Sequence, residues 1–195
     1  MRLLKKNPRN WRVKSGQPLT EMDKKILSFQ NRGCLVPTRD LIKTPEQIDG
    51  IRRAGTLNTA VLDHVAEHIH EGMSTLDIDK LVHEFTIQHG GIPAPLNYEG
   101  FPKSCCTSIN HVICHGIPDE KPLKEGDIVN VDVTSWLNGW HGDTSRMYVV
   151  GDIPIKARRL VEVTYECLML GIEQAKPGNT IGDISNAIQK FAEKH

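Results

Sequence analysis

The sequence predicts a mixed α/β (α+β) chain organised around one antiparallel hairpin and an internal repeat. Amphipathic segments with helix-start and helix-stop signals recur along the 195 residues. The run Ile128 to Val150, IVNVDVTSWLNGWHGDTSRMYVV, is rich in β-branched and aromatic residues and is broken by Asn138-Gly139, the signal of a two-residue type I′ turn. A shift of 106 residues lays Gly72 on Gly178, Ser74 on Thr180 and Asp77-Ile78 on Asp183-Ile184. It also lays Val82 on Ile188, Phe85 on Phe191 and His89 on His195. The first copy continues from Gly90 into strand-like segments, and the second stops at His195 where its strands are expected. The expectation is an α/β domain whose second half is truncated at His195, with exposed apolar helix faces and an unpaired strand edge.

Composition narrows the class. A hydrophobic content of 38% supports a real core. Basic and acidic residues balance at 24 each, and the pI lies near 7.1, so no global field recruits nucleic acid or an anionic membrane. No apolar run approaches spanning length, and neither a transmembrane helix nor a secretory signal is expected. The five cysteines (Cys34, Cys105, Cys106, Cys114 and Cys167) form no C-x-x-C pair. They read as reduced thiols of a cytoplasmic protein rather than a disulfide framework or a zinc knuckle.

Residues 1–44 show no sustained periodicity. Arg2, Lys5, Lys6, Arg9, Arg12 and Lys14 all precede the first acid, Glu21, which marks a basic N-terminal extension packing on the domain formed by 45–195. Thr44 can cap a first helix, with Pro45 at its first position and Gln47 completing a capping box. Ile48, Ile51, Ala54, Leu57, Val61, Val65 and Ile69 follow at helical spacing until Gly72. A second helix starts near Ser74, carries Ile78, Leu81, Val82 and Phe85 on one stripe, and ends at Gly90-Gly91. A third spans Pro154 to Ala175 with Leu160, Val161, Leu168 and Ile172 inward. A fourth starts at Thr180 and carries Ile184, Ala187, Ile188 and Phe191.

The turn fixes the register of the hairpin. Leu137 faces Trp140, Ser135 faces Gly142, Thr134 faces Asp143 and Asp132 faces Ser145. Opposed side chains share a face, as do positions two apart along a strand. Asp132 and Asp143 therefore point the same way as diagonal neighbours, about 7 Å or less apart at Cβ. Aspartate is depleted in strands, and two converging carboxylates repel unless something positive lies between them. One divalent cation, or a pair roughly 3.5–4 Å apart, suits that gap. Two solvated aspartates on the wet face of a sheet are the plain alternative. His115 sits in a turn, His-Gly-Ile-Pro-Asp, just before this hairpin, and is a candidate proton donor to a substrate held there. Tyr98, Phe101 and Cys106 can line a pocket for a soft apolar side chain, or can simply be core. His111, His141 and the set His68, His70 and His83 show no ligand pattern and stay unassigned.

The run PLNYEGFPKSCCTSINHVICHGIPDEKPLKEGDIVNVDV, followed by NGWHGDTSRMYVVG, resembles type I methionine aminopeptidase. The resemblance reaches from about Thr44 to the C-terminus, and the ordered CHGIP, N-x-D-V and HGDTS-R-M runs carry it. It implies the duplicated "pita-bread" α/β sandwich and a dinuclear metallohydrolase that removes the initiator methionine from nascent proteins. By that likeness Asp132 and Asp143 are metal ligands, Asp143 bridging two divalent ions (Co, Mn, Fe, Zn or Ni). His115 contacts the scissile peptide group, and Tyr98, Phe101 and Cys106 line the methionine pocket. Phe101 stands where some members carry tyrosine, and His111 departs from the acid often found after the asparagine. The family completes its site with one histidine and two glutamates from the second half, which His195 does not supply, so the chain by itself is expected to be inactive. Implied partners are a peptide or nascent-chain N-terminus with its initiator Met, and the ribosome. A monomer is expected for the full-length protein, with no specific nucleic acid and no membrane. A non-catalytic pita-bread binding protein, and a related aminopeptidase of other specificity such as a proline-directed one, are the competing readings.

Overall fold

The computed structural model describes residues 16–36, 38 and 41–195. The basic residues from Arg2 to Lys14 lie outside the described residues. Five helices and four strands follow in the order α1 (Glu21–Asn31), α2 (Pro45–His68), α3 (Thr75–Gln88), β1 (Ile92–Pro93), β2 (Cys106–Ile109), β3 (Ile128–Leu137), β4 (Trp140–Val149), α4 (Ile155–Gln174) and α5 (Ile181–Lys194). Contacts divide the chain into Pro45–Val161 and a second unit that holds α1 and Glu162–His195. Among the described residues no helix is long and apolar enough to cross a membrane.

The first unit is a helix layer on a sheet. β3 is the central strand: β4 pairs with it antiparallel along one side, and β1 and β2 pair with it in succession along the other. Among the described residues β4 pairs with β3 alone, so its outer edge is open. The hairpin closes through Asn138 and Gly139, both at positive φ (50° and 89°), as a type I′ turn demands. The observed register pairs Leu137 with Trp140, Ser135 with Gly142, Thr134 with Asp143 and Asp132 with Ser145, as the turn predicts.

Alternation then decides the two faces. Val129, Val131, Val133 and Ser135 are buried against the helices, while Asn130, Asp132 and Thr134 between them are only half-buried. Ala54, Leu57, Val61, Leu62 and Val65 of α2, with Ile78 and Val82 of α3, complete the core. Each fully buried valine contributes about 1.5–3 kcal/mol. Ile48 and Ile51, at the start of the α2 stripe, stay exposed. Glycines let helix and hairpin approach: a Cβ on Gly142 would lie 2.4 Å from the Ala54 carbonyl oxygen. Two buried hydrogen bonds lock the contact. Asn58 Nδ2 donates to the Val133 carbonyl (2.7 Å) and Tyr148 Oη donates to the Leu62 carbonyl (2.6 Å). Burial pushes the Tyr148 phenol up to about 12, which keeps it a neutral donor.

The second unit contains a helix the sequence reading missed. Glu21–Asn31 is helical, with a capping box between Thr20 and Asp23. The residues following that box carry no long apolar stripe, so hydrophobic periodicity gives little sign of it. A correction also applies to α4. Leu160, Leu168 and Ile172 do not point into a core; they are 60%, 54% and 55% exposed. Only Cys167 and Gly171 of this helix are buried, and Ile184 and Ile188 of α5 pack beside Gly171. The expected exposed apolar face is therefore present on α4.

The repeat holds at the level of local geometry. Gly72 and Gly178 both have positive φ (84° and 95°), and Ser74 and Thr180 both close capping boxes, with Asp77 and Asp183. Those hydrogen bonds hold both carboxyls below their ordinary value. At the far ends His89 stacks on Phe85 and His195 packs on Phe191, each imidazole Nδ1 reaching the carbonyl four residues back.

Candidate metal centre and substrate cleft

The sheet face turned away from α2 carries a cleft of about 720 Å³. Asp132 and Thr134 reach it from β3, and His141 and Asp143 from β4. Cys106 comes from β2, His115 from the loop after β2, and Tyr98 and Phe101 from the loop after β1. All six residues singled out from the sequence thus line one cavity. His141, left unassigned, lines it too. It stands two residues before Asp143 on the same strand, and the period-2 rule that paired the aspartates places it on their face.

Each wall has a local cause. The loop ahead of Phe101 is a tight 3-10 turn over Tyr98–Gly100, entered through Asn97 and Glu99 in the left-handed region (φ 67° and 48°). Asn97 N donates to the Phe101 carbonyl (2.8 Å), which closes the loop and leaves Tyr98 67% exposed at the rim. The chain then enters β2 over α3. The buried Asp79 carboxylate accepts from the Ser104 and Cys105 amides (2.7 and 3.2 Å), and His83 Nδ1 lies 2.8 Å from Ser104 Oγ. His83, also unassigned from the sequence, thereby helps to anchor the segment that presents Cys106.

His115 takes the left-handed conformation (φ 56°), which is uncommon for any residue but glycine. Gly116 makes this possible. Its amide donates to Ser108 Oγ (3.2 Å), its carbonyl accepts from Thr107 N (2.8 Å), and a Cβ there would meet the Thr107 carbonyl at 2.0 Å. The loop is therefore seated directly on β2, and the imidazole stands over the cleft. His111 is exposed and does not line it.

The electrostatics are those of two acids with no lysine or arginine beside them. Burial and the nearby Asp143 carboxylate raise the Asp132 carboxyl above its ordinary value, and His115 opposes them. Thr134 Oγ1 donates to Asp143 Oδ1 (3.0 Å), which orients that carboxylate. Neither lysine nor arginine lines the cleft. Burial, then Asp132, pushes the Cys106 thiol up to about 11, so it is neutral and apolar near pH 7. Paired carboxylate oxygens that repel each other and face neither lysine nor arginine fit a hard or borderline divalent ion. No third histidine, cysteine or acid among the described residues joins the two aspartates in a close ligand cluster.

The model of metallopeptidase family M24 matches residues 49–195. The chain belongs to that family. This M24 chain is 56% identical over 154 residues to the methionine aminopeptidase of Rickettsia prowazekii, an alignment covering 79% of this chain and 60% of the relative. It is 54% identical over 148 residues to methionine aminopeptidase A of Synechocystis, covering 75% and 58%. The crystal structure of the Rickettsia prowazekii enzyme superposes with a TM-score of 0.78 over 79% of this chain and 62% of that one. The fold is thus the pita-bread α/β fold of these metallopeptidases. The chain spans about 60% of the length of these two relatives.

Proposed function

We propose that this chain carries the N-terminal portion of a methionine aminopeptidase catalytic domain, with residues 45–195 forming that portion and residues 1–44 an extension. The observation that carries the reading is the convergence of Asp132 and Asp143 with His115, Tyr98, Phe101 and Cys106 in one cleft that no lysine or arginine lines. Asp132 and Asp143 would hold two divalent ions, drawn from Co, Mn, Fe, Zn and Ni, through carboxylate oxygens. Bound there, such ions supply Lewis acidity toward a peptide carbonyl. Thr134 keeps Asp143 oriented. His115 donates a hydrogen bond at the scissile amide, held over the cleft by the Gly116 seat. Tyr98, Phe101 and neutral Cys106 receive the thioether side chain, since sulfur and aromatic edges contact it favourably. The substrate is a peptide or nascent chain that begins with its initiator methionine, met at the ribosome. The five free cysteines accord with a reducing, cytoplasmic setting.

Two carboxylates do not close the coordination shell of two cations. Turnover is therefore assigned to this portion joined to the remaining length of its relatives, and not to these 195 residues. The test joins the C-terminal remainder of the Rickettsia prowazekii relative after His195 and follows metal-dependent hydrolysis of a Met-Ala peptide. Activity that is lost in the Asp143→Asn version, with the fold intact by circular dichroism, supports the assignment. Full turnover by Asp143→Asn defeats it.

A further inference from the structure

Among the described residues the one group of three ligand-type side chains close enough to share an ion lies outside the cleft. His64, Glu67 and His68, on the last turns of α2, place one ligand atom each within 4.8 Å of one another. The spacing explains it: residues three and four apart share one helix face, so His-Val-Ala-Glu-His stacks two imidazoles and a carboxylate together. His68 stays unassigned in the sequence analysis, and its partners here, His64 and Glu67, do not figure there.

Proximity alone carries little on an exposed helix, but two further features prepare these side chains. His68 Nδ1 lies 2.8 Å from the His64 carbonyl oxygen, which can only accept. Nδ1 of the neutral ring therefore holds the proton, and Nε2 keeps its lone pair free. Metal-binding histidines are commonly fixed this way by a backbone carbonyl. His64 is half-buried and stacked on Phe85 of α3 (4.7 Å between centroids, 29° between planes), and Phe85 is backed in turn by His89 at 3.9 Å. The rings of His64 and His68 stand 4.3 Å apart. One imidazole is thus held by stacking and the other by its tautomer, and only Glu67 has to be ordered on binding. A cation here also meets the negative end of the α2 dipole.

We infer that the C-terminal turn of α2 is a binding site for a borderline divalent cation such as Zn²⁺, with His64, Glu67 and His68 as its protein ligands. Two imidazoles and a carboxylate suit zinc, nickel or cobalt better than calcium or magnesium, and they leave at least one coordination position open to solvent. The ion clips together the last two turns of α2, where His64 is already stacked on Phe85 of α3. Nothing in this inference depends on the cleft being a peptidase site.

The test uses the intact 195-residue chain with Asp132→Asn and Asp143→Asn in place, so that the cleft pair cannot take the metal. Zinc is titrated by calorimetry, and the histidine ring signals are followed by NMR. One equivalent of Zn²⁺ is expected to bind, shifting the His64 and His68 ring nitrogens and raising the melting temperature. His68→Ala removes an exposed side chain, and it should weaken binding about tenfold or more and abolish the melting shift. Glu67→Gln keeps the shape and should weaken binding less. Unchanged zinc affinity in His68→Ala overturns the site, as does binding that shifts other histidines and leaves His64 and His68 unmoved.

Discussion

Replacing Asp143 with asparagine should make the metal-free chain more stable while removing the cleft's own response to divalent ions. The register sets the magnitude. Thr134 opposes Asp143 and Asp132 lies two residues along β3, so the carboxylates are diagonal neighbours, about 7 Å or less apart at Cβ. Two unit charges at that separation repel by about 0.6 kcal/mol in water and about 2 kcal/mol at an effective dielectric of 20. Asp143 is exposed and Asp132 half-buried, which points to about 1 kcal/mol. Asparagine still offers an oxygen to Thr134 Oγ1, so the hydrogen bond at 3.0 Å survives the change. The sign of the pH dependence follows from the raised Asp132 carboxyl. A group whose folded pKa exceeds its unfolded value contributes stability below the unfolded pKa and loses it as pH rises through the folded one. The penalty on the parent chain is therefore present at neutral pH and absent below the ordinary carboxylate range. Urea unfolding in EDTA, run from pH 3 to pH 8, should show the variant ahead by about 1 kcal/mol at the upper end and level at the lower. Added Mn²⁺, which suits carboxylate oxygens better than the imidazoles at the end of α2, should then stabilise only the parent, and weakly. A variant equal to or less stable than the parent at neutral pH would refute the mutual repulsion, and with it the case for a cation between these acids.

Other substitutions probe the scaffold. Gly142→Ala puts a methyl group 2.4 Å from the Ala54 carbonyl oxygen, and separating α2 from the hairpin strains the Asn58–Val133 and Tyr148–Leu62 bonds. A loss of about 3 kcal/mol or more is expected in urea unfolding, and a loss under about 1 kcal/mol would show that the contact yields cheaply. Ser74→Ala removes a capping box and should cost about 1 kcal/mol, with Thr180→Ala costing a similar amount at the matching position of the repeat. Cys106, its thiol held at about 11, should react slowly with iodoacetamide at pH 8 compared with exposed Cys34. Asp132→Asn should quicken that reaction; an unchanged rate would mean that the carboxylate does not reach the thiol. Gly116→Ala should unseat His115 and, in the extended protein, lower kcat for Met-Ala hydrolysis more than it raises KM.

Much of this molecule was legible from local rules. Asn138-Gly139 dictated the turn, the turn dictated the register, and the register put Asp132 and Asp143 on one face, because strand periodicity leaves no freedom once the reversal is set. The capping boxes at Ser74 and Thr180 likewise follow from side chains reaching amides three residues away. Tertiary contact decided what such rules cannot reach. Whether a helical stripe is covered depends on what packs against it, and Leu160, Leu168 and Ile172 recur at helical spacing yet lie open. His83 and Asp79 gained their partners from Ser104 and Cys105, more than 20 residues away in the chain, through the packing of α3 beneath β2. The left-handed seat of His115 exists because Gly116 fits against the Thr107 carbonyl, and no pattern in the sequence announces a contact that only the folded backbone creates.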